Sequence, residues 1–201
     1  QHVDFETIHT EGITKITTED MKYAKKLNMA IKLLASSKRV GDTFSVLVAP
    51  MLLSEEHPLC NVNDVFNAVF VRGNMLGDAM FYGSGAGKLP TASAVVADVV
   101  DAAKHLHRNV VTRWDAGELE LIPNAEAEHR FFVRVQGRSE AQKEQIREAF
   151  GSVEIVETEG LEDEFGFITE VMTEGTYSKK AEAFPEIIHL IGKEYFLQED
   201  L

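Results

Sequence analysis

The chain has very little cysteine: among 201 residues Cys60 is alone, so no disulfide can form within it and an oxidising compartment has left no mark. A lone cysteine beside Leu59 reads as a small buried hydrophobe rather than a nucleophile. No run of about 18 apolar residues occurs, which excludes a membrane-spanning helix. Positive charge is in deficit: Lys+Arg number 20 against 33 Asp+Glu, a formal net charge of -13. That balance argues against nucleic acid and anionic membrane surfaces, and solubility is its simplest meaning. The start, Gln1-His2-Val3-Asp4, has neither a basic stretch nor an apolar core, so no signal peptide is expected and the setting reads as cytoplasmic. An initiator methionine is also missing, as if the chain were cut from a longer one.

Several chemistries lack their residues. The seven histidines include no His-x-x-x-His pair and no cysteine cluster accompanies them, so no metal site is expected. No Gly-x-Ser-x-Gly elbow supports a serine hydrolase. Gly83-Ser84-Gly85-Ala86-Gly87-Lys88 is no Walker loop, because Tyr82 and Leu89 stand where that motif needs Gly and Ser or Thr. Nor is it a dinucleotide fingerprint, which would put its third glycine at Lys88.

What is present is a patterned globular chain with 44% hydrophobic and 26% charged residues. Thr17 caps a short helix with Glu19 and Asp20 in its first turn. Two apolar runs around Gly41-Asp42 predict a hairpin, and Val65–Arg72 and Met75–Tyr82 around Gly73-Asn74 predict a second. The second is apolar on both faces, so a covered, central pair is expected. Its far strand leads into the glycine turn and then a helix from Pro90 to about His107, small and apolar nearly all round and so expected to be buried. A helix start after such a turn presents free N–H groups and the positive end of the dipole. A tight corner and a ligand contact stand level as readings of it. Asp98 lies two turns in, and a structural salt bridge or cap-type bond is expected of it rather than catalysis.

Residues 109–128 lose periodicity and read as a linker around Trp114 and Pro123-Asn124, with a short strand at Glu118–Ile122. From residue 129 a rhythm follows: strand Arg130–Val135, turn Gln136–Ser139, helix Glu140–Phe150 closed by Gly151, strands at Val153–Glu157 and Phe165–Thr173, helix Thr176–Phe184, and a closing strand Ile187–Phe196. The order βαββαβ is the ferredoxin-like plan, two helices on one face of four antiparallel strands. The opposite face must be covered or bind something, and a second copy is the usual cover. The fold class is thus α+β, a mixed sheet with helices on one face followed by the ferredoxin-like unit.

Glu11-Gly12-Ile13 with Ile16-Thr17, Ile31-Lys32-Leu33-Leu34-Ala35, His57-Pro58-Leu59, Val62-Asn63, Phe66-Asn67-Ala68-Val69 and Gly83-x-Gly-Ala-Gly-x-x-Pro-Thr-Ala-Ser-Ala-Val-Val-Ala-Asp98 together closely resemble homoserine dehydrogenase, in the family's order and spacing. The resemblance covers the family's C-terminal half. It implies residues 1–108 from the catalytic and dimerisation domain and an ACT-like regulatory domain at 129–201.

The family interconverts L-aspartate 4-semialdehyde and L-homoserine with NAD(P)H, in threonine, methionine and isoleucine biosynthesis. Carried over, proximity to the nicotinamide falls on Gly87 first, then Gly85 and Ala86, with Thr91 at the helix start. No catalytic residue is expected in the chain, since the Rossmann domain and the proton-transferring lysine would lie upstream. The chain alone is expected to be inactive, to hold no cofactor, and to form a homodimer or higher homo-oligomer. By the ACT analogy an amino-acid effector would contact Gln136, Gly137 and Arg138. The alternative is a freestanding amino-acid-sensing and dimerisation module.

Overall fold

The computed structural model describes residues 2–193 apart from 112 and 114, so Trp114 and the predicted end of the closing strand lie outside the described residues. Helix α1 (Thr18–Lys26) begins with a capping box: Thr17 takes the Asp20 N–H and Asp20 takes the Thr17 N–H, which satisfies donors that a helix start leaves open. It stops at Leu27, followed by Asn28 at φ 54°, a conformation Asn tolerates better than most residues. The predicted hairpin follows as β2 (Met29–Val40) and β3 (Thr43–Ser54), in unbroken register from Met29↔Ser54 to Val40↔Thr43. Gly41, at φ +62°, makes the turn. A two-residue strand β1 (His9–Thr10) lies parallel to β3 on its other edge.

The tail supplies β6 (Glu128–Gln136), α3 (Glu140–Phe150), β7 (Glu154–Val156), β8 (Glu164–Ile168), β9 (Met172–Thr173), α4 (Glu174–Ala181) and β10 (Ile187–Lys193). Its four main strands stand in the order β10-β6-β8-β7, all antiparallel. α3 runs from Glu140 to Phe150 as its cap signals predict, with Gly151 at φ +84° closing it. The predicted strand at 165–173 is interrupted, its last two residues forming β9 against the start of β6. The predicted strand at 118–122 is reduced to two isolated bridges, His2↔Glu118 and Phe44↔Leu121.

Strand alternation sorts the β6 side chains onto two cores. Phe131, Val133 and Val135 join Phe165, Phe167, Ile146, Phe150 and Tyr177 under α3 and α4. Phe132 turns the other way, toward Ile168, Ile191, Leu52 and α1's Tyr23 and Ala24. The two tail helices lie on one face as expected, and the opposite face, which had to be covered or bind something, is covered by α1 rather than by the second copy given as its usual cover. α1 does the covering from within the chain. β10 also pairs in parallel with β3 (Gly192↔Met51), so one continuous sheet runs from the hairpin through the tail.

The second hairpin, β4 (Phe66–Gly73) with β5 (Gly77–Ser84), forms a separate two-stranded sheet. The covered, central position expected for it is not found among the described residues: Val69 is 62% exposed and Phe81 68%. Helix α2 (Lys88–Lys104) likewise has no buried residue, against the expectation of close packing. The apolar composition of both lies on exposed surface. Composition says nothing of which chain covers that surface.

Candidate functional site

The glycine corner lies where β5 ends and α2 begins. Gly85 donates its N–H to the Val65 carbonyl at 3.3 Å, closing the strand end onto the residue before β4. A Cβ at Gly85 would run into the Asn67 side chain, so the main chain there is in contact on one side. Gly87 is the N-cap of α2, at φ +118° and ψ 150°, a conformation that side chains resist. Its carbonyl accepts the Thr91 N–H at 3.1 Å, and no side chain caps the helix. Pro90 has no N–H to offer, which leaves the amides of Lys88 and Leu89 as the open donors of the first turn.

Gly85, Ala86, Gly87 and Thr91 are all exposed along one turn that leads into the positive dipole end of α2. Beside it, the ring of Tyr82 stacks on Phe66 at 4.9 Å and 16°. The arrangement suits a flat, partly anionic ligand laid on backbone and aromatic edge. Lys88 is exposed. Asp98 forms no ion pair among the described residues, so the structural salt bridge expected of it is not found.

What holds the corner in place is spread over the quoted motifs. Lys32 on β2 donates to the Val62 carbonyl at 2.8 Å and to Asn63 Oδ1 at 2.7 Å, pinning the loop that feeds β4. His57 accepts the Leu59 N–H at Nδ1 and sets its ring 4.9 Å from Phe70 of β4. Burial first, then the Arg72 charge, pushes the His57 imidazole down from its usual value.

The second predicted group sits in the other sheet. Gln136 ends β6 and donates Nε2–H to the Asp163 carbonyl at 2.7 Å. Gly137, at φ +105°, leaves room that the Gln142 side chain fills, and Gln142 reaches back to the Gln136 carbonyl at 3.2 Å. Arg138 pairs with Glu157 at 3.2 Å. The bond from Arg138, then that from Lys143, pulls the Glu157 carboxyl down to about 2. The helix start is thus capped by its own Ser139–Gln142 box rather than open.

Sequence reasoning missed a buried polar cluster. Arg134 forks onto Glu164 with Nε at 3.0 Å and Nη2 at 2.7 Å, and its Nη1 reaches Asp20 at 2.9 Å and Thr17 Oγ1 at 3.0 Å. His189 Nδ1 lies 3.0 Å from Asp20 Oδ2. Burial alone would raise the Asp20 carboxyl. The bonds from His189, the Thr17 N–H and Arg134 outweigh it and hold the group well below the usual carboxylate range. Arg134 and His189 each lie more than a hundred residues from Asp20, and Glu164 lies 30 from Arg134, so only the fold reveals the cluster. The alternation of β6 was the one available signal, since it puts Arg134 on the same face as buried Phe132.

A family model described as homoserine dehydrogenase matches residues 1–100. A homoserine dehydrogenase of Neisseria gonorrhoeae is 36% identical over 146 residues, covering 69% of this chain and 34% of its own length. One from Mycobacterium bovis is 32% identical over 92% of this chain and 46% of its own length. The crystal structure of a homoserine dehydrogenase from Thiobacillus denitrificans superimposes with a TM-score of 0.80 at 28% identity, over 95% of this chain and 48% of that one. The chain spans between a third and a half of the length of these relatives.

Proposed function

Since the chain belongs to the homoserine dehydrogenase family, we propose that it forms one wall of an NAD(P)-dependent site that interconverts L-aspartate 4-semialdehyde and L-homoserine. The observation that carries this is the glycine corner: an uncapped helix start with two open amides, exposed backbone at Gly85, Ala86 and Gly87, and Thr91 one turn on. The reaction needs an electrophilic carbonyl held against the nicotinamide and an acid for the forming alkoxide. The cofactor supplies the hydride. Gly87, Gly85 and Ala86 let the ring's carboxamide end approach main chain, and the dipole of α2 favours its polar edge. This chain contributes the wall and not the proton donor, so alone it is inactive and retains no cofactor.

Two further points belong to the same reading. The strand order β10-β6-β8-β7 with α3 and α4 on one face is the ferredoxin-like plan, which supports an ACT-like unit at 129–201 with residues 109–128 as the linker. The exposed apolar faces of β4, β5 and α2 support a homodimer in a cytoplasmic enzyme of amino-acid biosynthesis. A freestanding amino-acid sensor is not favoured, because the family match lies in residues 1–100 and outside the tail.

The test joins this chain to the portion of the Neisseria gonorrhoeae relative that precedes the matched segment. Homoserine-dependent NADPH formation is expected from the fusion and none from the chain alone. Gly87→Val in the fusion should raise KM for the cofactor by about tenfold or more, each tenfold being about 1.4 kcal/mol of lost binding. Turnover by the chain alone, or a Gly87→Val fusion with unaltered KM, refutes the assignment.

A further inference from the structure

Away from the glycine corner, a cleft of about 320 Å³ opens between the segment after β1 and the β3/β10 edge, floored by Ile16, Pro50 and Leu190. A recess of about 50 Å³ continues from it toward β6, with His9, Glu11, Pro50 and Leu190 lining both. The recess ends on Asn124, His129 and Glu174. None of these residues belongs to the glycine corner.

Three observations give the recess a chemical preference. His129 Nε2 is buried and has no hydrogen-bond partner, an unfavourable condition unless something arrives to satisfy it. Burial first, then nearby His9, pushes the His129 imidazole down, so the ring carries no charge to repel a cation. Glu174 uses Oε2 to accept from Asn124 at 2.7 Å, and Glu11 makes only a 3.7 Å contact with His9, so both carboxylates keep accepting capacity. Two carboxylates beside neutral imidazole suit a cationic hydrogen-bond donor. A metal ion is the poorer occupant, because no three such ligands converge among the described residues. The recess holds one group about the size of a water molecule, and an ammonium is that size.

The outer cleft has the opposite character. The ammonium of Lys15 and the hydroxyls of Thr10 and Thr14 stand at its rim, and Gly12 leaves open space where a side chain would reach. We propose that the cleft and its recess are a binding site for a small zwitterion of amino-acid size, its ammonium against His129 and Glu174, with Glu11 where recess and cleft meet, and its carboxylate toward Lys15. The site lies between the start of the chain and strands β3, β10 and β6, so an occupant touches both the hairpin and the tail.

The test uses the 201-residue chain with L-serine as the probe, N-acetyl-L-serine to remove the ammonium, and ethanolamine to remove the carboxylate. Calorimetry and the imidazole resonances of His129 are read together. L-serine should bind with a Kd of millimolar order or tighter and shift the His129 signals, ethanolamine should bind about tenfold more weakly, and N-acetyl-L-serine should leave the signals in place. His129→Phe should weaken L-serine about tenfold. Lys15→Gln, a surface change that leaves folding intact, should weaken it about fivefold and leave ethanolamine unaffected. The proposal is overturned by any of three results: no L-serine binding up to about 50 mM, N-acetyl-L-serine or ethanolamine binding as tightly as L-serine, or L-serine binding unaltered in Lys15→Gln. The readout involves no turnover, so its failure leaves the dehydrogenase reading standing.

Discussion

Replacing Arg134 with Leu should be the most damaging single change in the tail, and its cost should depend on pH in a direction set by Asp20. The guanidinium is 5% exposed and bridges Asp20, 0% exposed, to Glu164, 10% exposed. Removing it strands two carboxylates in a dry interior, which typically costs about 3–5 kcal/mol. For a chain of this length that is a fall in Tm of about 6–20 °C, at about 2–4 °C per kcal/mol. In the parent protein the Asp20 carboxyl lies below its unfolded value. Its contribution is therefore complete above the unfolded carboxylate pKa and is lost as pH falls toward the folded one, by about 1.4 kcal/mol per unit for each proton taken up. In Arg134→Leu one source of that depression, beside those of His189 and the Thr17 N–H, is gone and burial pulls the other way, so protonation of Asp20 relieves the variant. The gap between parent and variant should be widest at pH 7 and should narrow by pH 4. Urea unfolding at both pH values measures it. A gap below about 1 kcal/mol at pH 7, or one of equal size at both pH values, refutes the reasoning. Asp20→Asn/Arg134→Met/Glu164→Gln, which removes all three charges together, should recover most of the loss.

Gly166→Ala should destabilise by about 1–3 kcal/mol in the same assay, because the added Cβ would lie 2.5 Å and 2.9 Å from atoms of the Phe132 ring. Val69→Lys with Phe81→Glu should leave thermal stability nearly unaltered and shift sedimentation toward monomer; a monomeric parent at micromolar concentration would defeat the proposed pairing through this face. Lys32→Met should raise hydrogen exchange in β4 and β5 while β6 and β8 stay protected, since its two bonds hold the loop before β4; a uniform rise would contradict that role.

Much of the fold was legible wherever a local device decides it. The Thr17–Asp20 cap, the Gly41 turn, the Ser139 cap and the Gly151 stop are each set within a few residues, and the elements they bound lie close to where the pattern puts them. Long-range placement was not legible. The apolar β4/β5 pair and α2 were read as buried because two-sided apolar strands and a small-residue helix demand cover. That demand is met by nothing among the described residues. The opposite error occurred in the tail. Its second face had a second copy as its usual cover, yet α1 fills it, because one short amphipathic helix carries Tyr23 and Ala24 to Phe132 across more than a hundred residues of chain. At the candidate site the glycine corner stood out through its local sequence. His129 and Glu174 did not, since neither belongs to a motif and the recess exists only once β6 and α4 are side by side.

The parallel pairing of β10 with β3 gives these observations a common consequence. A tail attached only through residues 109–128 would open and close independently of the hairpin, and its stability would be its own. Here the last strand of the tail shares its edge with β3, and α1, which precedes β2, is locked to β6 and β8 by Arg134. Separating the two parts would break a strand pairing and expose the Asp20–Arg134–Glu164 cluster at once, and the second step costs more than an exposed ion pair ever would. The glycine corner is placed differently. Among the described residues it is tied to this sheet by the two Lys32 bonds and residues 57–63, and the two-stranded pair that carries it places no residue in either buried core. Isolated hairpins are marginal in water. The apolar surface of β4, β5 and α2 stays exposed among the described residues, and the homodimer proposed above would give the corner its cover there.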